Sequence, residues 1–92
     1  MLSREMSITH KEFLRLLPLA VQGASVNRRD NLLTVKTASG RLTITLAPQT
    51  TRQLGLLEFP VTTVTMEFHD FNPSDQAAFL KRFDLAYQRG GG

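Results

Sequence analysis

The sequence predicts an α+β domain. The expected architecture is a four-stranded antiparallel sheet with an N-terminal and a C-terminal helix packed on one face (α-β-β-β-β-α), leaving one sheet face open. Three observations predict it. Arg41-Leu42-Thr43-Ile44-Thr45-Leu46 and Thr62-Thr63-Val64-Thr65-Met66-Glu67-Phe68 alternate apolar and polar residues, and strand side chains point to opposite faces with period two. Turn-forming residues punctuate the chain between 29 and 41, so consecutive strands form a meander. Amphipathic helical patterns stand at both ends and supply the cover that a sheet with one apolar face requires.

Thr9 is placed to cap the first helix, with Glu12 three residues on at the capping-box spacing. Phe13, Leu16, Leu17, Ala20 and Val21 then recur at helical spacing. Pro18 interrupts them. Its ring clashes with the carbonyl four residues back, so the pattern predicts helix over 9–17, a distorted turn over 18–22 and an exit at Gly23. Residues 24–28 read as a weak strand, Arg29-Asp30-Asn31 as a turn and 32–37 as a second strand. Ala38-Ser39-Gly40 closes a hairpin onto the third strand, 41–47. Pro48 ends that strand, and residues 48–60 read as a long connection. The fourth strand covers 61–69. Ser74 is the expected cap of a second helix, in which Phe79, Phe83 and Tyr87 fall four apart on one face. The expected core is Phe13, Leu17, Leu42, Ile44, Val64, Met66, Phe68, Phe79 and Phe83.

A length of 92 residues predicts one domain, 1–92, with residues 1–8 as a flexible arm and 89–92 as a Gly-rich flexible tail. The chain has no cysteine, which removes thiolate nucleophiles, thiolate zinc sites and iron–sulfur clusters. Residues 1–10 carry no signal-peptide apolar run, and no apolar stretch approaches the ~20 residues that span a bilayer. These readings predict a cytoplasmic chain with no membrane partner. The net charge of +3 is unevenly placed: eight basic against three acidic residues give +5 over 1–52, and three against five give −2 over 53–92.

The open face is the first candidate site. Thr34, Lys36, Arg41, Thr43, Thr45, Thr63 and Thr65 should share it, and Arg41 with the four last threonines is expected to line a partner-binding surface. The connection 48–60 is the second. Leu54, Leu56, Leu57 and Phe59 are unusually apolar for a loop, and Leu56, Leu57 and Phe59 are expected as the apolar anchor of that surface. The competing expectation is that Leu56 and Phe59 plug the open end of the core. Arg28, Arg29, Lys36, Arg41 and Arg52 form the candidate set for weak nucleic-acid or phosphate-backbone binding. Sheets that bind RNA present aromatics on which bases stack, and this face presents none.

Glu67, His69 and Asp70 invite a metal or acid–base reading, but residues 69 and 70 point to opposite faces of a strand. There is no phosphate-cradling loop, nucleophile elbow or metal-binding motif. No catalytic residue, cofactor or metal is expected. The terminal Gly91-Gly92 resembles the diglycine of ubiquitin-like and sulfur-carrier proteins. In those families a strand of a β-grasp fold precedes the tail, whereas a helix is predicted here. The sequence thus predicts a small non-catalytic interaction domain that associates with itself, as a homodimer, or with another protein, through the threonine face or a sheet edge. Nucleic-acid binding by the basic N-terminal half is the alternative.

Overall fold

The computed structural model describes residues 1–89, which form six strands and two helices. In chain order these are β1 (Leu2–Met6), α1 (His10–Val21), β2 (Ser25–Arg29), β3 (Leu32–Lys36), β4 (Arg41–Leu46), β5 (Thr50–Leu54), β6 (Leu57–His69) and α2 (Pro73–Arg89). The fold is α+β with an antiparallel sheet and two helices. The sheet has six strands where four were expected, in the order β1-β6-β4-β3-β2, with β5 pairing β6 beyond the end of β4. No helix among the described residues is long and apolar enough to cross a membrane.

The two extra strands come from segments with a weak pattern. Residues 1–8, expected as a flexible arm, contain β1, which pairs β6 from Leu2↔Met66 to Met6↔Thr62. Its alternation is hidden in the sequence because an arginine holds an inward position. Arg4 lies between Leu2 and Met6 on the helix side and forms an ion pair with Asp84 of α2. The connection 48–60 is not a loop: it contains β5 and the first part of β6, joined by a tight turn at Gly55-Leu56. Gly55 has φ 61° at the first loop position, a conformation that costs glycine little.

α1 continues through Pro18 to Val21 rather than distorting after Leu17. Proline removes one backbone donor there, but Leu16, Leu17, Ala20 and Val21 are all buried, and their packing holds the last turn in place. Tyr87 of α2 donates its hydroxyl to the Phe13 carbonyl at 2.8 Å, just before the disturbed turn. Burial pushes the Tyr87 phenol well above its ordinary pKa. At the helix start Glu12 N–H donates to Thr9 Oγ1 at 3.0 Å, as the capping pattern requires. The Arg15 guanidinium beside Glu12 holds its carboxyl below the usual range, on the exposed side of the helix. Ser74 is not the cap of α2. Asn72 Oδ1 accepts from Asp75 N–H at 2.7 Å, and Pro73 takes the first helical position, where its missing donor is not needed.

Both helices pack on one face of the sheet. Phe13, Leu16, Leu17, Phe79 and Phe83 meet Leu33, Val35, Leu42, Ile44, Val64 and Met66 in one buried cluster. Every expected core residue is there, and Phe68 lies half-buried at its margin. The rings of Phe68, Phe71, Phe79, Phe83, Tyr87 and Phe13 succeed one another at centroid distances between 4.7 and 6.3 Å. At ~25 cal/mol per Å² of apolar area, each fully buried phenylalanine contributes about 2–3 kcal/mol. Arg89 belongs to α2, and residues 90–92, the rest of the expected tail, lie outside the described residues.

Candidate functional site

The face away from the helices is a polar surface whose register is fixed by four ladders. Lys36 lies opposite Arg41, and Arg41 opposite His69. In the next row Thr34, Thr43 and Glu67 follow one another, and in the third Leu32, Thr45, Thr65 and Ser3. Thr63 faces Glu5 in the fourth. The structure therefore brings Arg41, Thr43, Thr45, Thr63 and Thr65 together on one side, as the alternation predicts. Cross-strand bonds are few: Ser3 Oγ and Thr65 Oγ1 are 3.2 Å apart. β1 and β2 form the two edges of this sheet, and all five residues of β2 are exposed.

β6 continues past this face. Its first five residues pair only with β5, from Leu54↔Leu57 to Thr50↔Val61, making a two-stranded ribbon. The root is firmly held. Ala47 N–H donates to the Thr63 carbonyl at 3.0 Å, Thr62 Oγ1 donates to the Ile8 carbonyl at 2.8 Å, and His10 Nε2 lies 2.7 Å from the Ala47 carbonyl. Residues 47–49 stand opposite only 62 and 63, a bulge of one residue between β4 and β5.

Paired residues share a face, so the ribbon is two-sided. Leu54 and Leu57, Arg52 and Phe59, and Thr50 and Val61 lie on one side; Gln53 and Glu58, and Thr51 and Pro60, lie on the other. By the same alternation along β6, Leu57, Phe59 and Val61 share the side of Thr63 and Thr65. An ion pair confirms the placement: Arg52 reaches Glu5 of the open face at 2.5 Å. Burial falls along the ribbon. Val61 is 6% exposed and Phe59 half-buried, whereas Leu57 is 67%, Leu54 63% and Leu56 105% exposed. Leu56 and Phe59 therefore do not plug the core. The apolar stripe is continuous with the threonine face, and among the described residues nothing lies over its outer half.

Leu54 belongs to this stripe, and the sequence reading left it out of the site. The missed signal is the period-two run Leu57-Glu58-Phe59-Pro60-Val61, masked by reading Pro60 as a loop residue. The basic candidates do not form one patch. Arg29, Lys36 and Arg41 lie on the open face, but Arg28 points to the other side of β2 and its Nε donates to the Asp30 carbonyl at 3.1 Å. Arg52 is held by Glu5.

His69 Nε2 lies 3.8 Å from Glu67 Oε2 and 3.5 Å from Thr43 Oγ1, side by side on the open face. Asp70 turns away with φ 68° and begins the connection to α2. Among the described residues no group of three or more His, Asp or Glu side chains is arranged to hold a metal ion. A cleft of about 480 Å³ opens between the end of α1, β2, the β3–β4 turn and α2, lined in part by Ser25, Lys36, Thr37, Ser39, Asp75 and Arg82. It includes neither His69 nor Glu67. Comparison with known proteins found no matching family model, no similar curated protein and no similar solved structure.

Proposed function

We propose that this chain is a non-catalytic protein-interaction domain. Its docking surface is the threonine-rich face, lined by Arg41, Thr43, Thr45, Thr63 and Thr65, together with the ribbon that extends it. One observation carries the reading. Leu54 and Leu57 stand 63% and 67% exposed on the same side as that face, at the end of an anchored two-stranded ribbon. An isolated hairpin is marginal in water, and an apolar face on one marks a site for a partner. Leu56, Leu57 and Phe59 act as its apolar anchor, with Leu54 beside them.

Affinity capture with the purified chain, immobilised as wild type and as Leu54→Lys/Leu57→Lys, tests the reading. A protein, a free copy of this chain included, is retained by the wild type and lost from the variant. Equal retention on both, or none on either, overturns it.

The adjacency of Lys36 and Arg41 supports weak phosphate-backbone binding as a second reading. It predicts heparin retention that falls steeply with salt. Retention no stronger than that of a protein of equal net charge counts against it.

A further inference from the structure

We infer that the outer edge of β2 is a second docking site, separate from the ribbon, and that it takes an acidic extended segment of another protein as an added strand. The edge is bare. Among the described residues β2 pairs with β3 alone, in an unbroken register from Ser25↔Lys36 to Arg29↔Leu32. All five of its residues are exposed. Every second residue of such a strand turns its N–H and C=O away from its one neighbour, toward water. Proteins blunt an edge of this kind with a proline, a bulge, a covering element or charge. Ser25-Val26-Asn27-Arg28-Arg29 has neither proline nor bulge, and its exposure shows that none of the described residues covers it. Charge is the device that remains.

That charge selects the occupant. Residues 24–41 hold Arg28, Arg29, Lys36 and Arg41 against Asp30, a balance of +3. Arg29 shares the open face with Lys36 and Arg41, and Arg28 lies on the other face, so the edge is cationic on both sides. None of the four cations forms an ion pair among the described residues. Arg28 Nε donates to the Asp30 carbonyl at 3.1 Å, which holds the guanidinium beside the strand and leaves its terminal nitrogens to a carboxylate. Lys36 and Arg41 stand directly opposite each other. Like charges so placed cost stability, and an anion alongside relieves that cost.

The same charge disfavours a second copy. β2 against β2, antiparallel and centred on Asn27, sets Arg28 opposite Val26 and Arg29 opposite Ser25, with four arginines along one seam. The other outer strands, β1 and β5, carry Arg4 with Glu5 and Arg52 respectively, so neither supplies an acidic strand. A segment of another protein can. Acidic residues opposite Arg29 and Arg28 meet one cation on each face. An apolar residue opposite Val26 covers a side chain that is 40% exposed beside the fully buried Val35. An acid opposite Ser25 lies on the face of Lys36, Ser25's partner in the ladder. Strand addition of this kind draws affinity from main-chain hydrogen bonds and selectivity from alternate side chains.

Fluorescence anisotropy tests the inference with a labelled peptide, acetyl-Thr-Glu-Glu-Thr-Val-Glu-Thr-amide, written to run antiparallel to β2 in that register. Three companion peptides separate backbone pairing from charge. One has lysine for every glutamate, and two have alternate amides N-methylated, in one phase or the other. Only one phase of amides can face β2. The wild type is expected to bind the parent peptide and one methylated form, and to bind the other methylated form and the lysine form at least ~10-fold more weakly. Arg28→Glu/Arg29→Glu is expected to weaken the parent peptide by a similar factor, and Lys36→Glu in the same direction. Circular dichroism establishes that each variant folds, and should the double variant not fold, Lys36→Glu decides. Leu54→Lys/Leu57→Lys, which alters only the ribbon, is expected not to weaken the peptide. A wild type whose Kd for the parent peptide exceeds about 1 mM overturns the inference, as does binding indifferent to Arg28, Arg29 and Lys36. Equal binding of the two methylated forms overturns it too, because charge alone then holds the peptide, as it would a phosphate backbone. So does loss of the peptide from the ribbon variant, which places it on the docking surface proposed above.

Discussion

The two halves of β6 carry the same kind of sequence and meet opposite environments. In residues 62–69 the inward set Thr62, Val64 and Met66 is buried under two helices, between β1 on one flank and β4 on the other. In residues 57–61 the apolar set Leu57, Phe59 and Val61 alternates just as regularly, yet the strand has a single neighbour and exposure climbs toward the tip. The strand pattern alone decides which side of a chain is apolar. Whether that side is buried depends on what lies over it. Two helices cover residues 62–69, and among the described residues nothing covers the outer part of 57–61.

The contrast is tested most severely by truncating one aromatic in each region. Phe83→Ala, in the helix-covered core at 1% exposure, is expected to lower unfolding stability by about 3–5 kcal/mol in a urea titration. Phe59→Ala, half-buried on the ribbon, is expected to cost less than about 1 kcal/mol at concentrations where the chain is monomeric. Equal losses would mean that the ribbon packs as core, and would break the contrast.

Next in size is Gly40→Ala, at the turn between β3 and β4. Gly40 has φ 155°, and an added Cβ would stand 2.5 Å from the His69 carbonyl oxygen and 2.8 Å from the Phe71 ring. The turn is packed against the start of the β6–α2 connection, so the clash falls on backbone. A loss of about 2–3 kcal/mol in midpoint-derived stability is expected. Gly55, in the ribbon turn, has nothing among the described residues within 4 Å of such a Cβ. Gly55→Ala should therefore show only the smaller cost of its positive φ.

The smallest effect concerns Tyr87. Tyr87→Phe removes the 2.8 Å hydrogen bond to Phe13 while keeping the ring, and about 1 kcal/mol of stability should go with it. The wild type should also lose stability in alkali. Burial raises the folded-state pKa of this phenol, so its contribution is whole below the unfolded value of about 10 and declines as pH rises above it. Tyr87 is the chain's one tyrosine, so absorbance near 295 nm reports its ionisation alone. Ionisation should coincide with unfolding in the wild type. A Tyr87 that titrates near its ordinary pKa in the folded protein would show the core open at that end.

Much of the open face was legible. Register places Arg41, Thr43, Thr45, Thr63 and Thr65 together because alternation fixes which residues share a side, whatever the neighbours are. Capping chemistry was legible at Thr9 and misplaced at Ser74, since Asn72 and Ser74 are both good caps and only the position of Pro73 in the first turn separates them. β1 was not legible because Arg4 breaks its apolar alternation, and the reason for that arginine, Asp84, lies eighty positions away. The basic set Arg28, Arg29, Lys36, Arg41 and Arg52 reads as a patch in the sequence and is split by the fold between two faces and one ion pair.

By itself the sequence determined the class of fold, the two helices, the core aromatics and the polar character of one sheet face, because each follows from the spacing of residues near one another in the chain. Only the tertiary structure decided that the sheet has six strands, that residues 50–61 stand out as a ribbon, and that its apolar side continues the threonine face. Those outcomes depend on which flank of β6 each segment pairs with. Such pairing is a choice among long-range contacts, and local periodicity is the same for every one of them.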